Sequence, residues 1–359
     1  MSDIRLTDGP WAAHTVPFCR EAFLEIGGGM KKLALLIVSW VVMLCCNAGR
    51  QVHAAPAQSA LSGRELALVV PFSAGGGTDT LARLLANKLG GLTKSTIVVD
   101  NKPGANGLIA SQFVGRAKAD GQTLLLGSSS THVIEPLLSA DKSEMKSYQK
   151  KFVLVSVIAR TPLVLAVKST SKITRLDQYL AKSDREMTFG TYGVHSSPHL
   201  MGTLLAAERG LRLVHVPYKG SGPAVTDLLS GNIDSVFLTV AAISGYVEAG
   251  QVGALGITGM HRVATLPGVP TFHESGVAGL DNSGWFAVFA PAGTPEDVVV
   301  YLRSALREAM AEPGMQAKLK DLGLQDAADT SGKEMETWRD TIALTEAILK
   351  KTKLDMNRR

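Results

Sequence analysis

Beyond Cys46 the chain contains no cysteine: its three, Cys19, Cys45 and Cys46, all fall in the first 46 residues. The remainder therefore has no disulfide, no thiolate metal ligand and no cysteine nucleophile. There is no G-x-S-x-G elbow and no H-E-x-x-H helix, so two common hydrolase patterns are missing. No apolar run reaches the roughly 20 residues of a spanning helix. The longest, Leu33–Cys46, has fourteen. Charge of one sign is also lacking: the net charge is +5 over 359 residues, with only the tail Lys350–Arg359 locally basic. That balance is too weak and dispersed for nucleic acid, and it is compatible with small anionic ligands.

The early segment carries an address rather than a fold. Met30-Lys31-Lys32 followed by Leu33–Cys46 reads as a charged start and an apolar core, with small residues at Ala54, Ala55 and Ala57 for cleavage. Residues 30–55 are thus expected to be a signal peptide, and 1–29 a spurious extension ahead of the true start. The alternatives are an uncleaved anchor and, less well supported because no small residue precedes Cys45, a lipoprotein.

What the remainder does contain is glycine and hydroxyl residues at strand ends. Leu66–Val70 is a short apolar strand closed by Pro71. Ser73–Gly77 is almost free of side chains, and Leu81, Leu84, Leu85 and Leu89 then follow on one helical face. Strand, glycine turn and helix start aim backbone N–H groups at one spot, which suits an anion. No Lys follows the glycines and no third glycine completes a dinucleotide fingerprint, so a nucleotide loop is not indicated. A tight turn with no ligand remains open on these residues alone.

Strands and helices alternate through the rest, which indicates α/β architecture with mostly parallel sheets. Four small-residue loops sit at carboxyl ends of strands: Ser73–Gly77, Gly127–His132, Gly190–His199 and Pro217–Gly222. Ligands of open α/β sheets bind at such ends. Loop hydroxyls and backbone amides can hold a carboxylate without a fixed cation, at roughly 1.5–3 kcal/mol per charge-assisted bond. His195 and His199 have metal-like i, i+4 spacing, but Pro198 starts a helix between them and no third ligand is near. A hydrolase using Ser129 or Ser196 with a nearby His stays open as an alternative.

Several stretches resemble the substrate-binding proteins of tripartite tricarboxylate transporters, the Bug family. They are Val69–Asp79 (VVPFSAGGGTD), Val98–Gly107 (VVDNKPGANG), Asp120–Gly127 (DGQTLLLG), His215–Ser221 (HVPYKGS) and Trp285 through Phe289–Pro295 (FAPAGTP). The resemblance covers nearly all the chain after Arg64, in matching order. It implies a two-lobed, periplasmic binding protein of type II, a Venus flytrap with a mostly parallel sheet in each lobe. Lobe 1 would comprise 63–162 plus 289–359 and lobe 2 163–288, with crossings at about Pro162–Val167 and Trp285–Phe289. It implies a small organic carboxylate as ligand, a membrane permease as partner, no nucleic acid, no cofactor, no metal, a monomeric state and no catalysis. A subunit that presents its liganded form to a membrane kinase would need the same closure.

The pocket implied by the resemblance uses Phe72, Ser73, Ala74, Gly75, Gly76, Thr78 and Asp79 from the first loop. It adds Ser128, Ser129, Thr131 and His132 from the second, then Tyr192, Gly193, His195, Ser196 and His199, together with Tyr218 and Leu238. Three departures from the family pattern stand out. Ser73 and Gly77 replace common prolines, His195 replaces a common glycine, and Leu238 stands where many members carry an Asp facing the cleft. An apolar Leu238 in the cleft would favour a carboxylate without an amine.

Overall fold

The computed structural model describes residues 61–75, 77–139, 148–182, 184–281, 284–327 and 332–352. The expected extension and signal peptide lie outside the described residues. No helix among those described is long and apolar enough to cross a membrane. All belong to one compact unit, 54–359.

The first lobe begins with β1 (Glu65–Val70), α1 (Gly77–Thr93), β2 (Thr96–Asn101), α2 (Leu108–Val114) and β3 (Thr123–Ser128), followed by the short α3 (Glu135–Ser139) and the long β4 (Phe152–Thr161). The second lobe is β5 (Leu163–Lys168), α4 (Leu176–Leu180), β6 (Glu186–Thr191), α5 (Ser197–Arg209), β7 (Arg212–Pro217), α6 (Ser221–Ser230), β8 (Ser235–Thr239), α7 (Val240–Glu248) and β9 (Val252–Ile257). The chain then returns with β10 (Gly284–Pro291), α8 (Glu296–Ala311), α9 (Pro313–Asp321), β11 (Gln325–Asp326) and α10 (Glu334–Thr352).

The two sheets have strand orders β11-β4-β10-β3-β1-β2 and β7-β6-β8-β5-β9. Both bury two faces, as the continuous apolar strands predict. In β1, Leu66, Leu68 and Val70 pack with Leu81, Leu85 and Leu89 of α1, whereas Val69 faces Ala110 and Val114 of α2. In β8, Phe237 faces α5, and Val236 and Leu238 face α6 and α7.

Each sheet is mixed rather than mostly parallel. The βα-linked strands β1, β2 and β3 are parallel, as are β6, β7 and β8. The strands next to the crossings run against them: β10 is antiparallel to β3 and β4, and β5 is antiparallel to β8 and β9. A strand that arrives from the other lobe, rather than through a crossover helix, is free of the right-handed βαβ constraint.

The first crossing is Pro162, between a strand of each sheet. Proline has no N–H to continue a ladder and ends the pairing there. The return crossing is earlier than the sequence suggests. Leu280 still packs in the second core, and β10 from Gly284 onward is entirely in the first sheet, so residues 284–288 belong with lobe 1. The last helix belongs to neither lobe alone. Trp338 of α10 is buried in the first lobe and Ile348 in the second. The Trp285 indole N–H donates to Thr341 of α10 at 2.9 Å.

A second bridge is the turn at Gly323, whose φ is +63°. A Cβ there would lie 2.6 Å from Val240 Cγ1 and 3.1 Å from the Ala241 backbone nitrogen, at the start of α7. Both the left-handed backbone and the lack of room demand glycine. Gly323→Ala should lower unfolding free energy by about 2–4 kcal/mol, read from the urea midpoint. A change within about 0.5 kcal/mol would show that the turn does not hold the lobes as described.

Candidate functional site

The loop after β1 is shaped by one carboxylate. Asp79 is buried in the first turn of α1 and accepts the Gly75 N–H at 2.9 Å, Arg83 Nε at 2.9 Å and Asn101 Nδ2 at 3.0 Å. The Arg83 guanidinium, then the Gly75 N–H, hold it down at about 2. Asn101 also donates to the Phe72 carbonyl at 3.0 Å, so the end of β2 fastens both sides of the loop. Ser73, Ala74 and Gly75 are exposed, Phe72 and Thr78 are half-buried, and Gly76 lies outside the described residues. Among the described residues nothing accepts the N–H of Gly77 or Thr78, as expected for the first turn of a helix. The sequence expectation that Asp79 binds ligand meets a carboxylate already committed to its own loop.

The second stretch is not a loop. β3 continues to Ser128, and Ser130–Ile134 forms a single wide helical turn running into α3. Thr131 Oγ1 accepts the Ser128 N–H at 2.9 Å and is 2.8 Å from His132 Nδ1. His132 is wholly buried and stacks on Phe289 at 4.0 Å between ring centres. Desolvation lowers it to about 3. A Cβ on Gly127 would come within 2.6 Å of that ring. His132 is thus packed in the core, with its Nε2 lacking a hydrogen-bond partner among the described residues.

Ser129 and Ser130 instead reach across to the second lobe. Their hydroxyls lie 3.4 Å and 2.8 Å from Ser197 Oγ, and Ser130 Oγ accepts the Ser197 N–H at 3.1 Å. Ser129 Oγ also accepts the Trp285 N–H at 3.4 Å. A Cβ on Gly284 would be 3.0 Å from the same hydroxyl.

At the end of β6, Ser196 caps α5, accepting the His199 N–H at 3.4 Å and donating to the Gly193 carbonyl at 2.6 Å. Pro198 carries no N–H. The start of α5 is thus satisfied by Ser196 and by Ser130 of the opposite lobe. Among the described residues neither Ser129 nor Ser196 meets an imidazole nitrogen, so the geometry does not assemble the Ser/His alternative.

His195 has a left-handed backbone, φ 55°, a conformation that glycine adopts without strain. Its N–H donates to His199 Nδ1 at 3.2 Å. His199 stacks on His215 at 3.8 Å, and His215 Nε2 is 2.7 Å from Thr191 Oγ1. Burial lowers these imidazoles to about 4 and about 3. Among the described residues no three His, Cys, Asp or Glu side chains converge on a metal-sized position. Tyr192 sits at the same strand end, its phenol pushed up to about 12 by burial beside Ser130 and Ser197.

Tyr218 lies at the same strand end, its N–H donating to the Thr191 carbonyl at 3.0 Å, and its hydroxyl donates to Asp227 of α6 at 2.6 Å. One expected residue lies elsewhere. Leu238 does not face the cleft. It is fully buried with Val164, Leu228 and Ile243, because β8 alternates its side chains and the opposite parity, Phe237, takes the other face. The argument from Leu238 to an apolar ligand falls with it.

Three residues are gained. Asn106 (φ 47°) donates to Glu135 Oε2 at 3.0 Å and to the His195 carbonyl at 3.3 Å, and His195 Nδ1 is 3.3 Å from Glu135 Oε2. Ser197 is the third, at the contact with Ser130. Asn-Gly after Pro-Gly was the one readable signal, since asparagine tolerates a left-handed backbone.

Residues 81–354 match the family described as "Tripartite tricarboxylate transporter family receptor". BugT of Bordetella pertussis is 32% identical over 297 residues, covering 80% of this chain and 91% of BugT. Among solved structures, Rpa4515 of R. palustris with adipate is 30% identical with a TM-score of 0.73, covering 81% of this chain and 97% of that one. MatC of Rhodopseudomonas palustris with bound malate is 27% identical with a TM-score of 0.70, covering 80% and 99%.

The depressed imidazoles set a pH dependence. The unfolded chain takes protons on them below about pH 6.5, while the folded chain resists until about 4 at His199 and about 3 at His132 and His215. Stability is then complete above pH 6.5 and falls as pH drops toward 4. Urea unfolding between pH 7 and 4.5 should show this, and His215→Gln should reduce the slope by up to about 1.4 kcal/mol per pH unit. An unchanged slope in that variant would contradict the burial described.

Proposed function

This chain belongs to the tripartite tricarboxylate transporter receptor family of periplasmic binding proteins, and within it we propose that the chain captures a small carboxylate lacking an amine between its lobes. It then delivers that ligand to the membrane permease of a tripartite tricarboxylate-type transporter. Export through the proposed signal peptide, action as a monomer and binding without turnover complete the reading.

The observation that carries it is the convergence of strand ends from both sheets on the Ser129, Ser130 and Ser197 contact. The exposed loop Ser73–Gly75 follows β1, which pairs in parallel with β3, and among the described residues nothing accepts the N–H groups of Gly77 and Thr78. Ser73, Thr78, Tyr192 and these amides would hold the carboxylate, and Phe72, Ala74, Gly75 and Gly193 would line the space. Three or four charge-assisted bonds of roughly 1.5–3 kcal/mol each offset the cost of ordering and leave micromolar binding within reach. The relatives holding adipate and malate bind ligands of this chemistry.

The exclusion of an amine rests on Asp79. Its carboxylate is already surrounded by Gly75, Arg83 and Asn101, and Glu135 by Asn106 and His195. A ligand ammonium would have to compete with these donors for a carboxylate or be desolvated with neutral acceptors only, which costs several kcal/mol. Thermal-shift screening of mono-, di- and tricarboxylates should give a stabilising ligand, recovered chemically unchanged. Calorimetry with adipate against 2-aminoadipate, and succinate against aspartate, should favour the amine-free partner at least tenfold. Tighter binding of the amino acids, or conversion of the ligand, would overturn the reading.

A further inference from the structure

Asn106 lies in the first lobe, in the turn between β2 and α2, with a left-handed backbone of φ 47°. A side chain in that conformation is costly and persists where the surroundings require it. Here the turn itself requires it. Gly104, Ala105, Asn106 and Gly107 all have positive φ (131°, 44°, 47° and 90°), and the Gly107 N–H donates to the Gly104 carbonyl at 2.9 Å. A Cβ on Gly107 would be 2.6 Å from Thr131 and 3.0 Å from Pro71, so the turn is wedged between the first two site segments. The Asn106 side chain therefore leaves the first lobe from a fixed point.

Both acceptors of its amide are oxygens. Nδ2 donates to Glu135 Oε2 at 3.0 Å within the lobe and to the His195 carbonyl at 3.3 Å in the other lobe. A carboxylate and a carbonyl only accept, so the nitrogen of the amide, and not its oxygen, faces them. The bond to Glu135 sets the amide plane and leaves the second hydrogen for the facing lobe. The receiving peptide is held as well. The His195 N–H donates to His199 Nδ1 at 3.2 Å, and Ser196 Oγ donates to the Gly193 carbonyl at 2.6 Å. The segment between β6 and α5 thus presents the His195 carbonyl from a tied turn.

We propose that Asn106 is a strap between the lobes, whose amide grips the His195 carbonyl in the closed form and slows release of the bound carboxylate. The inference rests on the reading of this chain as a binding protein whose lobes close. The other ties differ in kind. Pro162 joins the lobes through the chain itself, α10 is shared by both cores, and the Ser130–Ser197 bond lies at the centre of the proposed site. Asn106 reaches across from outside that centre, so opening breaks its bond and closure remakes it. A bond made in one state and not in the other shifts the equilibrium toward the first. For a neutral amide and carbonyl the shift is about two- to tenfold.

Asn106→Gly and Asn106→Asp in the full chain test this. Glycine removes the amide and takes the left-handed backbone without strain. Aspartate keeps the size but turns only lone pairs toward the His195 carbonyl. Small-angle scattering without ligand should give radii of gyration that increase from wild type to Asn106→Gly to Asn106→Asp. Adipate should leave Asn106→Gly about two to ten times faster than wild type, with the association rate within about twofold. Equal radii in the folded proteins, or unchanged release from Asn106→Gly, would overturn the strap. A lower urea midpoint with unchanged radii and release would assign Asn106 to its own turn and overturn it too. Where Asn106→Asp does not fold, Asn106→Gly decides alone. The radii need no ligand, so the two readings fail separately. Radii in the expected order, with no carboxylate of the thermal-shift screen bound, would sink carboxylate capture and leave a strap on closure. Adipate binding with equal radii would do the reverse.

Discussion

The first loop keeps its form because the Asp79 carboxylate cannot be buried without partners, and its partners come from three places. Gly75 supplies an N–H from the loop, Arg83 a guanidinium one helical turn on, and Asn101 an amide from the neighbouring strand. A buried carboxylate left short of donors costs far more than an ordinary hydrogen bond returns. Loop, helix start and β2 end are thereby fixed relative to one another. Ser73 and Gly77 can then replace stiffer residues, since the stiffness is supplied by Asp79. Among the described residues nothing accepts the amides of Gly77 and Thr78.

The second lobe solves the equivalent problem differently. The start of α5 is capped by its own Ser196 and by Ser130 from across the cleft. Among the described residues the start of α1 keeps N–H groups without acceptors, whereas the start of α5 meets a hydroxyl of the facing lobe. Around them the lobes are tied by α10, which buries Trp338 in one core and Ile348 in the other, and by the glycine turn at Gly323 against Val240. Movement between the lobes must work against these ties. The Asn106 amide adds to them a bond to the His195 carbonyl of the facing lobe.

Much of this is visible in the order of residues. The alternation of apolar strands with amphipathic helices, the glycine turn after Pro71, the cap at Ser196 and the crossing at Pro162 all follow from local chemistry. A turn needs glycine, a helix start needs an acceptor, and a proline ends a ladder wherever it occurs. The lack of cysteine beyond Cys46 is likewise a property of composition. The resemblance to the transporter receptors is also legible in the sequence, and the matched residues 81–354 bear it out.

Which face a side chain takes, and which partner it meets, was decided only by the fold. Leu238 and Phe237 are equally apolar, and a one-residue change of parity decides which of them packs under α6 and α7. His132 looked like a polar loop residue until Phe289, more than 150 positions away, stacked on it. The return crossing moved to Gly284 because β10 found its pairs in β3 and β4. Asn106, Glu135, His195 and Ser197 are scattered in the chain, and no local pattern joins them. Local conformation is set by near neighbours and can be read from sequence. Burial, pairing and the shift of a titrating group depend on what is brought alongside from far away, and only the tertiary structure supplies that.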